Sequence, residues 1–163
     1  MKKIVVLFSI AALLSCKNEP KETVAEKAPE ITKYTIEQFM DNEAVGNGDF
    51  SSNNSKLLVH SNRSGIYNLY EVPATGGEFE PLTQSDSSSI FAISYFPNDE
   101  RILFSSDGNG DELDHIYLKD LDGSITDLTP FEGAKSNFYG WSDDKSTFYY
   151  GSNKRDARYF DVY

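Results

Sequence analysis

Cysteine and histidine are almost absent from this chain, whose 163 residues include one cysteine and two histidines. A single cysteine cannot close an internal disulfide, so no disulfide framework supports the fold. Neither His60 nor His115 lies in an H-E-x-x-H pattern or another metal-ligand spacing. Both are therefore predicted to be structural or rim residues, and not a catalytic base or a ligand. The sequence predicts no metal and no cofactor.

Basic residues are also scarce. Lys and Arg number 15 against 26 Asp and Glu, which gives a formal net charge of −11. Nucleic-acid phosphates are bound through Lys and Arg, so this balance excludes nucleic acid as a partner. The same charge disfavours adsorption of the protein to an anionic membrane surface. The acidic residues are spread through turns, as in Asp111-Glu112 and Asp143-Asp144, which indicates solvated loop charge.

Long apolar runs are missing too, and the most extended one stands at the start of the chain. Residues 4–14 would form about 16 Å of helix, too short for a hydrocarbon core of about 30 Å. Two lysines precede this run, as in a signal peptide. Leu13-Leu14-Ser15-Cys16 then resembles the bacterial lipobox, in which the cysteine is lipidated. We predict a lipoprotein signal peptide over residues 1–16 with lipid attachment at Cys16; a buried cysteine after a generic signal is the alternative.

Residues 17–33 have the composition of a flexible tether, with Lys, Glu, Pro, Asn and Ala and few large apolar side chains. Such a segment buries too little surface to offset its ordering entropy, so we expect it to stay extended. Lys17 and Asn18 follow the cysteine where an aspartate would, by the usual lipoprotein rule, retain the protein at the inner membrane. The predicted location is the cell envelope, lipid-anchored, with the outer membrane favoured, facing the periplasm or the cell exterior.

What the chain does contain is a repeat. Similar segments begin at Phe50, Phe96 and Trp141, about 46 residues apart, and each holds a turn followed by a short apolar stretch. A period of this length, rich in short strands, is typical of one four-stranded β-propeller blade. The third copy reaches Val162-Tyr163, the counterpart of Ile116-Tyr117. Phe50, Phe96 and Trp141 are predicted to occupy equivalent positions and to pack between blades.

The sequence thus predicts an all-β fold, a partial β-propeller of about two and a half four-stranded antiparallel blades, over residues 34–163. The predicted blades span about 44–83, 90–129 and 136–163. The one predicted helix lies within Ile31–Met40, and the alternative there is a strand leading into the first repeat. Three apolar stretches are expected to be covered on both faces by neighbouring blades: Leu57–Val59, Ile102–Phe104 and Phe148–Tyr150.

One segment imitates a catalytic motif. Gly140-Trp141-Ser142 matches the first three positions of the G-x-S-x-G nucleophile elbow, but Asp144 stands where the second glycine belongs. The segment also precedes a predicted strand and not a helix, and it lies in register with the other two repeats. Ser142 is therefore predicted to be a blade-turn residue and not a nucleophile.

Two further clusters have a functional and a structural interpretation. Asp107-Gly108-Asn109-Gly110-Asp111 has the spacing that opens a calcium loop, but Glu112 and Leu118 stand where that loop needs glycine and glutamate. A hairpin loop without metal is predicted. Lys154, Arg155 and Arg158 could contact a peptide carboxylate or another domain, but salt bridges to loop aspartates are the favoured interpretation.

The repeats resemble the N-terminal propeller of the prolyl oligopeptidase superfamily of serine peptidases, particularly its dipeptidyl-peptidase and acylaminoacyl-peptidase branches. The resemblance rests on Ser61–Gly65 with Tyr67–Tyr70, on Asp107–Tyr117, and on Ser152–Tyr163. It implies a propeller that caps an α/β-hydrolase domain and limits which peptides reach the Ser-Asp-His triad. That domain would lie C-terminal to the propeller, beyond Tyr163, so this chain is expected to carry no catalytic residue.

Two functions remain open at this point. The first is the N-terminal part of a cell-envelope serine peptidase, whose peptide substrates would meet the C-terminal hydrolase domain and whose membrane contact would pass only through the lipid on Cys16. The second is a non-enzymatic propeller similar to the periplasmic TolB protein, acting as a binding or scaffold module. An incomplete ring would expose strand edges and apolar blade faces to water.

Overall fold

The computed structural model describes residues 31–163, and the predicted signal peptide, Cys16 and the tether up to residue 30 lie outside the described residues. Residues 31–35 form no helix or strand, so the predicted helix is confined to its second half. The elements are α1 (Ile36–Met40), β1 (Val45–Phe50), β2 (Lys56–Ser61), β3 (Asn68–Pro73), β4 (Glu80–Pro81), β5 (Ile90–Tyr95), β6 (Ile102–Ser106), β7 (His115–Lys119), β8 (Ile125–Asp127), β9 (Ser136–Trp141), β10 (Phe148–Asp156) and β11 (Tyr159–Val162).

The strands form three antiparallel sheets, each from consecutive segments of the chain. Blade 1 has the order β1-β2-β3-β4, blade 2 the order β5-β6-β7-β8, and blade 3 the order β9-β10-β11. Successive strands joined by short turns, with one sheet following another, are the arrangement of propeller blades. The fold class predicted from the sequence, an all-β partial propeller, is confirmed.

Blades 1 and 2 share one apolar core. Leu58 and Leu69 of blade 1 are fully buried and belong to one cluster with five residues of blade 2, namely Ile90, Ala92, Tyr95, Ile102 and Phe104. Burial of such side chains contributes about 1.5–3 kcal/mol each. The interface between the two blades therefore serves as the hydrophobic core, since a single sheet has no interior of its own.

Polar contacts add to this interface and set its register. The Tyr95 N–H donates to Asp49 Oδ2 over 2.7 Å, and the Tyr95 hydroxyl donates to Glu71 Oε1 over 2.9 Å. Lys56 Nζ pairs with the other oxygen of Glu71 at 2.9 Å. Burial, reinforced by the hydrogen bond to the Glu71 carboxylate, raises the pKa of Tyr95. Because Tyr95 belongs to blade 2 while Asp49 and Glu71 belong to blade 1, the two bonds of Tyr95 form in only one alignment of the blades.

Blades 2 and 3 meet through aromatic rings. The Trp141 ring lies 5.0 Å from Phe96 in blade 2 and within 6.0 Å of Phe138 and Phe148 in its own blade. Its indole N–H donates to Ser94 Oγ over 3.1 Å. Edge-to-face packing of this kind adds about 0.5–1.5 kcal/mol per pair to the burial of the rings. Packing of Phe96 and Trp141 between blades was expected from the sequence.

The equivalence proposed for Phe96 is wrong by one residue. Tyr95 pairs with Ile102 as Phe50 pairs with Leu57 and as Trp141 pairs with Phe148. Phe96 instead donates its N–H to Arg101 O, which is the role of Ser51 and Ser142 in their turns. Two adjacent aromatic residues look alike in an alignment, whereas hydrogen-bond register separates them, since successive side chains of a strand face opposite sides.

The burial of the central strand of each blade depends on where that blade lies in the row of three blades. Leu58 and Leu103 are 0% exposed, but Tyr149, which pairs with Gly140 as Leu103 pairs with Ser94, is 49% exposed. The expectation that the central stretch of blade 3 is covered on both faces is therefore wrong, because no fourth blade lies beyond it in the described part of the chain. On blade 1, Val45 and Phe50 are likewise about half exposed.

Substitution of Gly46 by alanine tests how closely the side chains of blade 1 pack around this residue. A methyl group at Gly46 would collide with the His60 ring, whereas one at Gly48 would meet Leu57 Cδ1 at 3.6 Å, an ordinary contact. We expect Gly46→Ala to lower the free energy of unfolding by about 1–3 kcal/mol through overpacking. Gly48→Ala, the matched control, is expected to change it by less than about 1 kcal/mol. Urea unfolding measures both, and equal losses in the two variants would contradict the packing described.

Candidate functional site

The loops at one end of the blades carry most of the polar residues singled out in the sequence. This loop end, where β1, β5 and β9 begin, consists of the loops 62–67 and 107–114, the hairpin 153–158 formed by the end of β10 and its turn, and the connectors 84–89 and 130–135. The turn 142–147 lies at the opposite end. Antiparallel pairing places alternate connections at opposite ends of a sheet. Ser142 is therefore separated from the other candidates by the length of a strand.

Ser142 closes a hairpin turn. Its N–H donates to Thr147 O over 2.8 Å, and its hydroxyl donates to Asp144 Oδ1 over 2.6 Å. Hydrogen bonds from Ser142 and from Ser146 lower the pKa of Asp144 to about 2. Ser51 closes the first-blade turn in the same way, through Lys56. The Ser142 hydroxyl has no histidine partner here, and a nucleophile needs an adjacent base.

His60 lies in the interface between blades 1 and 2. Its Nδ1 accepts the Ala92 N–H over 3.2 Å, and its ring meets Tyr67 and Phe91 edge-on at 5.4 and 5.3 Å. Burial lowers the pKa of His60 below its ordinary value. Acceptance of a backbone N–H requires an unprotonated Nδ1. His60 is thus a structural residue of the blade interface.

His115 pairs with a carboxylate of the neighbouring strand. Its Nδ1 lies 2.7 Å from Asp127 Oδ2, and its ring stacks on Tyr117 at 6.3 Å. Asp127 Oδ1 also accepts the Thr129 N–H over 2.8 Å. The pair therefore ties β7 to β8 and the residues that follow it, as expected for a structural histidine.

The acidic loop 107–111 is held by its own backbone. Asp111 Oδ1 accepts the N–H groups of Leu113 and Gly108 over 2.9 and 3.1 Å, and these bonds lower the pKa of Asp111. Asp107 Oδ2 accepts the Glu112 N–H over 3.2 Å. Within residues 31–163, no group of three or more His, Cys, Asp or Glu side chains is arranged to hold a metal ion.

The basic cluster divides into three separate contacts. Arg155 pairs with Asp161 and Arg158 with Asp156, each through an Nη2–oxygen contact of 2.8 Å. Lys154 instead places its Nζ 3.6 Å from the Tyr163 ring and 4.2 Å from the Phe131 ring. The arginine pairs agree with the salt-bridge interpretation. The aromatic contacts of Lys154 were not foreseen, because Phe131 comes from the connector before blade 3.

A cavity of about 430 Å³ lies where the first strands of the three blades converge. We call it the axial cavity; its walls are Asn47, Ile93, Ser105, Asp114, Ser136, Asn137 and Phe138. Asn47 Nδ2 spans two blades by donating to Ile93 O over 2.9 Å. In the walls, the buried Ser136 Oγ has no hydrogen-bond partner in the described structure. Neutral amides and hydroxyls of this kind can hydrogen-bond to a peptide main chain.

A second cavity, of about 400 Å³, lies beside the axial cavity at the loop end and shares Asp114 with it. Lys135 pairs with Asp114 at 2.6 Å, and this contact raises the pKa of Lys135. Asp107, Asn109 and Glu112 of the second cavity were singled out from the sequence, whereas the polar residues of the axial cavity were missed because they are single positions in separate repeats. The available signal was the pair Asn47 and Asn137, polar residues in the first strands of the first and third repeats.

Comparison with known proteins shows that the chain is similar in sequence to a peptidase. It is 31% identical over 102 residues to dipeptidyl aminopeptidase BIII of Pseudoxanthomonas mexicana. The match covers 61% of this chain and 15% of that protein, so the chain spans a small part of its relative. The resemblance to the propeller of prolyl oligopeptidase-type peptidases, inferred above from the repeats, is confirmed by this relative. No protein-family model matches the chain.

Solved structures confirm the fold. A protein from Agrobacterium tumefaciens assigned as TolB superposes with a TM-score of 0.57 at 22% identity, over 71% of this chain and 40% of that one. TolB from Acinetobacter baumannii superposes with a TM-score of 0.59 at 18% identity, over 74% and 29% of the two chains. At 22% and 18% identity, these two similarities show the fold alone.

No helix among residues 31–163 has the length and apolarity needed to cross a membrane.

The buried position of His60 predicts a pH dependence. Because its pKa is lowered in the folded state, the unfolded chain takes up a proton first, near its ordinary value of about 6.5. The free energy of unfolding should therefore fall as pH drops from 7 to 5. In His60→Asn, Asn Oδ1 replaces Nδ1 as an acceptor and cannot be protonated. Urea unfolding at several pH values should show a flatter profile for this variant, and parallel profiles would contradict the assignment.

Proposed function

We propose that this chain is the N-terminal propeller of a cell-envelope serine peptidase of the prolyl oligopeptidase type. The observation that carries the proposal is the 31% identity to a dipeptidyl aminopeptidase over 102 residues. The TolB structures, at 18% and 22% identity, share the architecture alone. Fold does not decide function, so the sequence relationship is the stronger support.

In this proposal the propeller limits access of short peptides to the catalytic site. The axial cavity supports this role, since its lining offers amide and hydroxyl groups from all three blades. A peptide main chain can exchange hydrogen bonds with water for hydrogen bonds with such groups at little net cost. Long or folded chains would be excluded because the cavity, of about 430 Å³, is bounded by strands of three blades.

Hydrolysis itself is assigned to an α/β-hydrolase domain of the whole protein. There, a serine activated by histidine and aspartate would attack the peptide carbonyl and form an acyl-enzyme, which water then cleaves. Ser142 supports this division of labour, because its hydroxyl is bonded to a turn aspartate. The two histidines described above are engaged with Ala92 and Asp127.

The proposed location is the cell envelope, with a lipid on Cys16 and residues 17–33 as the tether. The net charge of −11 leaves the lipid as the only proposed membrane contact. The outer membrane is favoured over the inner membrane by Lys17 and Asn18, which follow the cysteine.

The gene that encodes this chain provides the decisive test. We expect the reading frame after codon 163 to encode further blades and then G-x-S-x-G, Asp and His in that order. The complete product should release dipeptides from peptide substrates and react with a fluorophosphonate probe, and Ala at the elbow serine should abolish both. Residues 1–163 alone should not react, with or without Ser142→Ala. Further repeats running to the stop codon would instead establish a TolB-like binding module.

Lipid attachment is tested separately. Cys16→Ala should eliminate incorporation of radiolabelled palmitate and leave the precursor uncleaved, because the thiol is the acceptor of the lipid. Ser15→Ala, the matched control, keeps a small residue before the cysteine and should be labelled normally. Labelling of Cys16→Ala equal to that of the unchanged protein would refute the anchor.

A further inference from the structure

Two asparagines of the chain are followed by glycine, namely Asn47 and Asn109. An Asn-Gly pair is prone to spontaneous deamidation, because glycine has no Cβ to keep its main-chain nitrogen away from the asparagine side chain. Both asparagines are exposed, and both adopt the left-handed conformation, with φ angles of 57° and 60°. The dipeptide and the asparagine conformation therefore do not distinguish the two sites, and a difference in reactivity must come from their surroundings.

The packing of blade 1 against blade 2 holds Asn47 in place. This residue lies in β1 and is flanked on both sides by residues that pair with β2. Its Nδ2 donates to Ile93 O of blade 2 over 2.9 Å. For the main-chain nitrogen of Gly48 to reach the side-chain carbon of Asn47, the strand would have to bend and this hydrogen bond would have to break. The fold therefore protects Asn47.

Asn109 has neither of these restraints. It belongs to the loop 107–114 between β6 and β7 and to no strand. Within residues 31–163, neither Asn109 Nδ2 nor the Gly110 N–H has a hydrogen-bond partner. The space around Gly110 is open, since an added Cβ would meet no atom within 4 Å. The attacking nitrogen and the leaving nitrogen are therefore free to move, as is usual for exposed loops with few contacts.

The side-chain oxygen of Asn109 has a partner that favours the reaction. Ser88 Oγ donates to Asn109 Oδ1 over 2.9 Å and accepts the Asn109 N–H over 3.0 Å. Ser88 is itself positioned by Ser85, whose hydroxyl donates to Ser88 O over 2.7 Å. Attack on the amide carbon moves negative charge onto Oδ1, and a donor already placed at that atom stabilises the charge.

We propose that Asn109 is a site of spontaneous deamidation promoted by Ser88. The Gly110 nitrogen loses its proton to solvent and attacks Asn109 Cγ, so that a new C–N bond forms and charge collects on Oδ1. The bond from Cγ to Nδ2 then breaks, Nδ2 takes up a proton from solvent, and ammonia leaves. Water opens either C–N bond of the resulting succinimide ring, which yields aspartate or isoaspartate.

The product changes the second cavity, whose walls include Asn109 and Gly110. A new carboxylate appears there beside Asp107 and Glu112, which line the same cavity, and the like charges repel one another. Isoaspartate also routes the main chain through the former side chain and lengthens it by one methylene group, which displaces Gly110. Deamidation thus alters the charge and the shape of the loop end. The reaction requires neither a hydrolase domain nor a lipid anchor.

Incubation of the 163-residue chain in mildly alkaline buffer tests the proposal. Samples are digested with pepsin, and mass spectrometry follows the peptides that contain Asn47 and Asn109. Asn109 should gain the mass difference between an acid and an amide about tenfold faster than Asn47, which must first break an inter-blade hydrogen bond. Asp107 and Asp122 also precede glycine. Their isomerisation leaves the mass unchanged, so it is not mistaken for deamidation.

Unfolded protein and two variants supply the controls. In urea the two Asn-Gly pairs should react at nearly equal rates, because the surroundings that distinguish them are lost. Ser88→Ala removes the donor and should slow deamidation of Asn109 about tenfold. Ser88→Thr, the conservative variant, keeps a hydroxyl and should retain the rate. Circular dichroism establishes that both variants are folded.

Three results would overturn the proposal: no mass gain at Asn109, a rate at Asn47 that equals or exceeds it in the folded chain, or a difference that persists in urea. Deamidation of Ser88→Ala at an unchanged or higher rate would refute the role of Ser88. These outcomes are independent of the peptidase assignment, because the reaction uses only residues of one loop and one connector.

Discussion

Each blade of this protein has two apolar faces and can keep them from water only by lying against another blade. Among residues 31–163, blade 2 is the one blade with a neighbouring blade on both sides, and its Leu103 and Ile116 are fully buried. At the outer face of blade 3, where the described residues place no further blade, Tyr149 and Val162 are 49% and 65% exposed. Stability of such a repeat is the sum of its blades and their interfaces. The core of the protein is therefore an interface.

The polar groups of the interfaces make this packing specific. Asp49 accepts the Tyr95 N–H, and Ser94 accepts the Trp141 indole N–H, so adjacent blades are joined by different chemistry at the same level of the sheet. His60 performs a similar task with Ala92. With these residues committed to blade packing, the polar groups left near the axis belong to the axial cavity. The proposed role in peptide access depends on that separation.

Much of the fold could be predicted from spacing. The repeat identified the blades, and the hairpin turns, the counterpart of Ile116 at Val162 and the turn role of Ser142 all follow from it. Three features could not be predicted. That Tyr95, and not Phe96, is the counterpart of Phe50 and Trp141 depends on hydrogen-bond register. The contact of Lys154 with Phe131 depends on the path of a connector. The axial cavity combines single residues of three blades.

The sequence alone determined which segments are strands and the period at which they recur, since composition and period are local properties of the chain. It also carries the relationship to a dipeptidyl aminopeptidase. Only the tertiary structure decided which aromatic residue faces which blade and which partners the two histidines bind. Those features arise where residues about 46 positions apart come into contact, and the direction of a side chain there is set by pairing register.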